Sequence, residues 1–231
     1  MKEHIYTIAL TDSLTESCSC AMCTLEKKLE QEAVNYFLGP SLMEPDSRMI
    51  TNEKGFCRRH MYMLFDQNNR LGLGLTLETH LTELIKSFRP SKKSGLFSSS
   101  YDVTESGKKL FSLSQSCTLC DKLNEQMRHA ARNFAFLIST EDEFKSKFTQ
   151  TDGLCLEHMA LVVSQSEKEL SGKKFTEFID FLYDIQIQKF TELQKDVHSF
   201  TLSFDYRNTE APSQKVTASV QAAVDRLSKY R

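Results

Sequence analysis

The 231-residue chain is long enough for one large domain or two of about 110 residues each. Its 40% apolar and 26% charged residues are those of a globular protein, and a formal charge of −2 removes the whole-chain electrostatic case for nucleic acid or an anionic membrane. Eight Gly and four Pro favour helices over a loop-rich fold, and sixteen Phe without any Trp predict Phe- and Leu-filled cores.

At the N-terminus, Met1-Lys2-Glu3-His4-Ile5 does not open a hydrophobic export signal, and no apolar run approaches the roughly 18–20 residues of a spanning helix. The expected compartment is the cytoplasm. Seven Cys would stay reduced there, so they read as metal ligands or redox groups rather than as a disulfide framework.

Cys20-Ala21-Met22-Cys23 comes next, followed by Leu25, Leu29, Ala33 and Phe37 at helical spacing. Gly39-Pro40 and Glu44-Pro45 predict a bent loop. Gly55-Phe56-Cys57-Arg58-Arg59-His60 then opens a helix carrying Met61, Leu64 and Phe65, and a longer stripe runs through Leu73, Leu77, Leu81, Leu84, Ile85 and Phe88. A polar linker occupies 89–112. The second half repeats the plan: Cys117-Thr118-Leu119-Cys120, a helix with Leu123, Met127, Ala130, Phe134 and Ile138, and an acidic helix start at 139–144. Gly153-Leu154-Cys155-Leu156-Glu157-His158 opens the next helix, and a long one follows from Phe175 to Val197. After Phe200 the sequence predicts a short extended stretch, then Pro212 and a final helix with Val216, Val220, Val224 and Leu227 on one face.

The CxxC pairs align at an offset of 97 positions and the GxCxxH motifs at 98, which marks an internal duplication. The expected fold is therefore all-α. Residues 1–88 form a first Cys₃His unit, 89–112 the linker, 113–199 a second unit and 200–231 a C-terminal extension with the final helix.

Two ligands three positions apart at the start of a helix share a face, and two such pairs complete the tetrahedral Cys₃His set of structural Zn²⁺. Helix N-terminal amides also stabilise thiolates, and Gly55 and Gly153 suit a tight turn into the ligand helix. The sequence predicts two Zn²⁺ per chain, one on Cys20, Cys23, Cys57 and His60, the other on Cys117, Cys120, Cys155 and His158. A lone CxxC is a weak signal; a CxxC with a CxxH, twice at matching spacing, is a strong one.

Cys18, the seventh thiol, has no counterpart in the second repeat; it reads as a spare thiol, with replacement of Cys20 as the alternative. His4, His80, His129 and His198 lack partners at ligand spacing and read as surface or packing residues. Glu78, His80 and Glu83 share a predicted helix, for which surface placement is the simpler reading than an acid–base or metal site. The segment Phe204-Asp205-Tyr206-Arg207-Asn208 is open between a docking strand, a ligand contact and local pairing of Asp205 with Arg207.

Several stretches together resemble a bacterial family known only as a domain of unknown function. They are Lys2-Glu3-His4-Ile5-Tyr6-Thr7-Ile8, the Cys18–Cys23 cluster with Leu25-Glu26-Lys27-Lys28, Gly39–Asp46, Asn52–His60, Arg70-Leu71-Gly72-Leu73, Leu77-Glu78-Thr79-His80 and Phe204–Asn208. The resemblance covers nearly the whole chain. It implies a cytoplasmic bacterial protein and brings no activity.

Four protein ligands leave no open metal position, and no HExxH, nucleophile elbow, P-loop or dinucleotide fingerprint occurs, so the sequence leans away from an enzyme. The leading reading is a structural-zinc binding or scaffold module with an unidentified protein partner. A redox or sensor protein, holding an iron–sulfur cluster or cycling its CxxC thiols, is the alternative. A nucleic-acid-binding zinc module stands third: Lys54, Arg58, Arg59 and Arg70 surround the first motif, but Asp152, Leu156 and Glu157 stand at the matching positions of the second. No membrane contact is expected; the apolar faces of the long helices predict that the two units pack together, and a homodimer is left open.

Overall fold

In the computed structural model, eleven α-helices and no strand make up the described residues, which are 7–14, 19–92, 100–205, 207 and 211–228. The helices are α1 (Thr7–Ser13), α2 (Ala21–Phe37), α3 (Pro45–Lys54), α4 (Arg58–Asp66), α5 (Arg70–Ser87) and α6 (Val103–Gln115), then α7 (Thr118–Thr140), α8 (Asp142–Gln150), α9 (Leu156–Ser166), α10 (Gly172–Leu202) and α11 (Gln214–Leu227). The all-α expectation holds. Cys18, His4, Tyr206 and Asn208 lie outside the described residues.

Three segments differ from their sequence expectations. The bent loop after Gly39 contains a 3₁₀ turn (Pro40–Met43) and then α3, with Pro45 at its first position, where a missing N–H costs nothing. The second half of the polar linker is α6, capped by Asp102 accepting from the Glu105 amide at 2.9 Å. Beyond Phe200, α10 continues to Leu202 and 203–205 form a turn where an extended stretch was expected.

The chain divides into two compact units that cut across the repeat: Leu29–Glu125 form an inserted unit, and Met1–Lys28 with Gln126–Arg231 form a split unit. In the inserted unit Leu29, Ala33, Val34 and Phe37 of α2 are buried with Phe56, Leu64, Leu73, Leu119 and Leu123. Phe37 meets Phe56 edge-on with centroids 5.3 Å apart. Arg48 ties α3 to α5 through Thr76 Oγ1 (3.1 Å), Thr79 Oγ1 (2.6 Å) and the Leu75 carbonyl (3.0 Å). The start of α5 is fixed by Asn69, which accepts from the Gly72 amide at 2.8 Å and donates to the Leu38 carbonyl at 2.7 Å.

In the split unit the core is aromatic. Phe134, fully buried, sits edge-on to Phe144 (5.6 Å) and Phe148 (5.1 Å), and Ala130, Ala131, Ile138, Val162, Phe178 and Leu182 of the same unit are buried too. The final helix α11 packs on α9 and α10. Its inward face is Ser219, Ala222, Ala223 and Arg226, while Val220, Val224 and Leu227 are exposed. Of the valine face found by periodicity, Val220, Val224 and Leu227 thus point outward, while Val216 is half-buried.

Replacing Phe134 by Ala removes the ring at the centre of the split-unit core and should cost roughly 3–5 kcal/mol of stability. Phe111→Ala, at an exposed position of α6, should stay within about 0.5 kcal/mol. Chemical denaturation of both variants checks the contrast.

Candidate metal centres

Each ligand pair straddles the start of a helix. Cys20 and Cys117 immediately precede α2 and α7; Cys57 and Cys155 precede α4 and α9 with extended backbone (φ −67°, ψ 165° and φ −73°, ψ 163°). Three residues on, Cys23, Cys120, His60 and His158 sit in the first turn. The free amides and helix dipole there favour a thiolate, and the Cys120 amide donates to Cys117 Sγ at 3.4 Å.

The glycine turns occur as the sequence predicts, with Gly55 at φ 62° and Gly153 at φ 85°. Both are also gripped from outside. A Cβ on Gly55 would lie 2.5 Å from His80 Nε2, and that ring is anchored by its Nδ1 at 2.8 Å from the Asn52 carbonyl. Beside Gly153, buried Gln186 donates to the Leu154 carbonyl (2.8 Å) and accepts from its amide (3.0 Å), fixing the residue before Cys155.

The eight donors gather into two clusters, and the pairing crosses the repeats. Cys20, Cys23, Cys155 and His158 meet in the split unit; Cys57, His60, Cys117 and Cys120 meet in the inserted unit. Within each cluster the ligand atoms all lie within 4.8 Å of one another. This corrects the expected sets, which joined Cys20 and Cys23 to Cys57 and His60, and Cys117 and Cys120 to Cys155 and His158. The reason is reach: α7 has 23 residues, about 35 Å at 1.5 Å per residue, whereas α8 has 9, about 14 Å, too short to retrace it. In the inserted unit the crossed pairing is secured by backbone: the Thr118 amide and hydroxyl both donate to the Gly55 carbonyl (3.0 and 3.1 Å), and Ser116 Oγ donates to the Lys54 carbonyl (2.6 Å).

The donor geometry suits one ion per cluster. His60 Nδ1 lies 3.2 Å from Cys117 Sγ and 3.3 Å from both Cys57 Sγ and Cys120 Sγ, and the last two sulfurs are 3.9 Å apart. His158 Nδ1 lies 3.2 Å from Cys155 Sγ, 3.3 Å from Cys23 Sγ and 3.6 Å from Cys20 Sγ, with Cys23 and Cys155 sulfurs 3.6 Å apart. A tetrahedron with Zn–S bonds of about 2.3 Å has sulfur–sulfur edges of about 3.8 Å.

Behind each histidine stands a buried carboxylate that the sequence motifs do not announce. Glu30 faces His60 Nε2 at 2.9 Å and also accepts from Arg59 at 2.8 Å; Glu26 faces His158 Nε2 at 3.3 Å. Glu26 and Glu30 are only 4% and 1% exposed, so they are held there by these partners. Such a carboxylate fixes the imidazole with Nδ1 toward the metal and raises its basicity. Both come from α2; at the repeat offset of 97 their counterparts are Leu123 and Met127.

The donors polarise one another. The hydrogen bond with Cys120, against burial and with help from His60, holds the Cys117 thiol down at about 3, and the same bond pushes Cys120 up. Burial works against the His60 imidazolium, but hydrogen bonds to Cys117 and Glu30 hold it up at about 9. In the split unit, burial likewise opposes the His158 imidazolium, yet bonds to Cys155, Cys20 and Glu26 push it up to about 12, while Cys20 and Cys23 hold the Cys155 thiol well down. Protons here occupy positions a divalent ion would take, so metal uptake releases protons.

The remaining candidates are ordinary. His80 is a packing residue; His129 and His198 are exposed. Glu78 is exposed and Glu83 pairs with Lys86 at 2.7 Å. Asp205 pairs with Arg207 at 2.5 Å, the local alternative for that segment.

The chain belongs to a family of unknown function (DUF6062), matched over residues 1–230. No curated protein and no solved structure matches it.

Crossed pairing makes a sharp forecast for metal content. The double variant Cys23→Ser/Cys155→Ser touches one cluster and should retain about one ion. Cys23→Ser/Cys57→Ser touches both and should retain almost none. Pairing within repeats would reverse the two results, and elemental analysis of the purified variants reads the difference. Glu30→Gln and Glu26→Gln should each weaken metal retention roughly 10–100-fold at their own centre in chelator competition.

Proposed function

We propose that this family member is a structural-zinc protein whose helical framework serves as a binding or scaffold module. The observation carrying the reading is the closed donor set: three sulfurs and one imidazole nitrogen within 4.8 Å of one another, twice, each imidazole backed by a buried glutamate. Four protein ligands leave no coordination position for a substrate or reactive water, so the ion's role is to hold helices. A four-iron cluster binds each of its protein ligands at a different iron and spreads them, whereas these donors converge on one point.

A binding role draws support from the surface of the inserted unit. Helix α6 has no buried residue, yet exposes Val103, Leu110 and Phe111, and α5 with its C-cap exposes Leu81, Ile85 and Phe88. Phe88, Pro90, Leu110 and Leu113 line an apolar groove with Arg89 and Lys109 at its edge. A 13-residue helix with nothing buried gains little from packing, and a surface of this kind suits a protein partner.

Elemental analysis of protein purified without a metal-affinity tag should find about two zinc ions per chain, matching the two clusters, and no visible colour. Iron with absorbance near about 400 nm would overturn the zinc reading. Because structural zinc contributes roughly 10–16 kcal/mol at neutral pH, comparable to the whole net stability of a domain, a strong chelator should unfold the chain, seen as lost helical circular dichroism on heating at lower temperature. Metal retention should also fall as pH falls, since protons compete for the thiolates.

A further inference from the structure

The C-terminal helix is seated by an unusual face. In the split unit α11 packs on α9 and α10 through Ser219, Ala222, Ala223 and Arg226, spaced i, i+3, i+4, i+7, with half-buried Val216 one turn before them, and turns Val220, Val224 and Leu227 outward at 40%, 53% and 60% exposure. Hydrophobic burial alone would choose the opposite face. Instead an arginine is buried to 3% exposure, with its Nε and Nη2 lacking any hydrogen-bond partner. An uncompensated buried cation is strongly destabilising.

The surroundings of Arg226 indicate what compensates it. Its Cζ lies 5.5 Å from the Phe190 ring centroid, a modest cation–π contact. Its Nη2 abuts Gly153, where a Cβ would lie 3.5 Å away, in the turn two residues before Cys155. Burial lowers its pKa; the anions opposing this are Asp152, Cys20, Cys155 and Glu192, and two of the four are donors of the split-unit cluster.

We propose that Arg226 is the counter-charge of the Cys20–Cys23–Cys155–His158 metal centre, and that this charge, rather than an apolar seam, seats α11. The inference rests on the zinc reading above. Three thiolates, a neutral imidazole and a divalent ion leave one net negative charge in the interior, and Glu26 behind His158 adds another. The inserted-unit centre is balanced differently, by Arg59 on Glu30 at 2.8 Å from a half-exposed position. Linkage is reciprocal: whatever Arg226 adds to the hold on the ion, the ion adds to the seating of α11. The last helix therefore reports the state of the split-unit centre and loosens when its ion leaves.

The test uses the full chain loaded with zinc, comparing wild type, Arg226→Met, Arg226→Lys and Asp152→Asn. Zinc release is followed by chelator competition, and hydrogen exchange is read over residues 214–227. Arg226→Met should release one of its two ions roughly 10–100-fold more readily, with the other held as in wild type. It should also lose exchange protection over α11 while the Phe134 core stays protected. Arg226→Lys should recover much of both, and Asp152→Asn should resemble wild type. Unchanged zinc release in Arg226→Met overturns the proposal, as does loosening of α11 with both ions held normally. An Asp152→Asn variant that behaves like Arg226→Met would name Asp152 as the true partner and overturn it too. Should Arg226→Met not fold, the shorter neutral variant Arg226→Gln takes its place under the same two readouts, and unchanged zinc release there overturns the proposal. A wild-type chain that takes up no zinc at all instead removes the zinc reading on which it stands.

Discussion

Four donors converge only where two helix starts face each other, and the path of this chain is arranged around those two meetings. Each ligand pair is short-range, but each cluster is long-range: Cys23 meets Cys155 across 132 positions, and Cys57 meets Cys120 across 63. Closing loops of that length costs chain entropy that grows only slowly with length, so a cross-link through the four donors would be well placed where the separation is greatest. In the split unit it joins two segments that the whole inserted unit separates in sequence. The clamps around Gly55 and Gly153 serve the same end. His80 and Gln186 restrict the turns from which Cys57 and Cys155 are presented, so the donors are positioned by packing as well as by helix geometry.

The duplication is visible in the ligands and already blurred behind them. Both histidine-facing carboxylates, Glu26 and Glu30, sit on α2, whereas α7 carries the apolar Leu123 and Met127 at the matching places. A buried glutamate is costly unless a partner holds it, and Leu123 and Met127 are buried without that cost. The first repeat thus supplies the outer shell of both centres while the second supplies more of the core. Arg59 and Arg226 continue the divergence, balancing the two centres from a half-exposed and a buried position respectively.

The helices flanking the motifs, the positive-φ glycines and all eight gathered donors were legible because each rests on local spacing. The pairing was not, since a CxxC three positions wide looks the same whichever CxxH completes it; only the lengths of α7 and α8 decide. Helix α3 was hidden by two prolines that read as a bend, although Pro45 stands where a helix tolerates it. Helix α6 was hidden by a polar composition and by burying nothing. On α11 periodicity found the valine stripe but not its direction, because a hydrophobic pattern says that a face exists and an interior charge can outweigh where it points. Glu26 and Glu30 left a faint trace: two acidic residues one turn apart on the side of α2 that otherwise carries Leu25, Leu29 and Ala33.

Crossing also changes what a duplicated protein can do with its halves. Had each repeat closed its own centre, either could have folded alone, and each could have been lost or varied independently. With the donors exchanged, a CxxC from one repeat is completed only by the CxxH of the other, so neither half contains a finished ligand set. Whatever stability one centre contributes is then contributed to segments of both repeats. The cost is that damage in either repeat reaches a centre built partly from its twin. The compensation is a framework in which two donor clusters tie distant segments together, while α5 and α6 keep apolar side chains exposed.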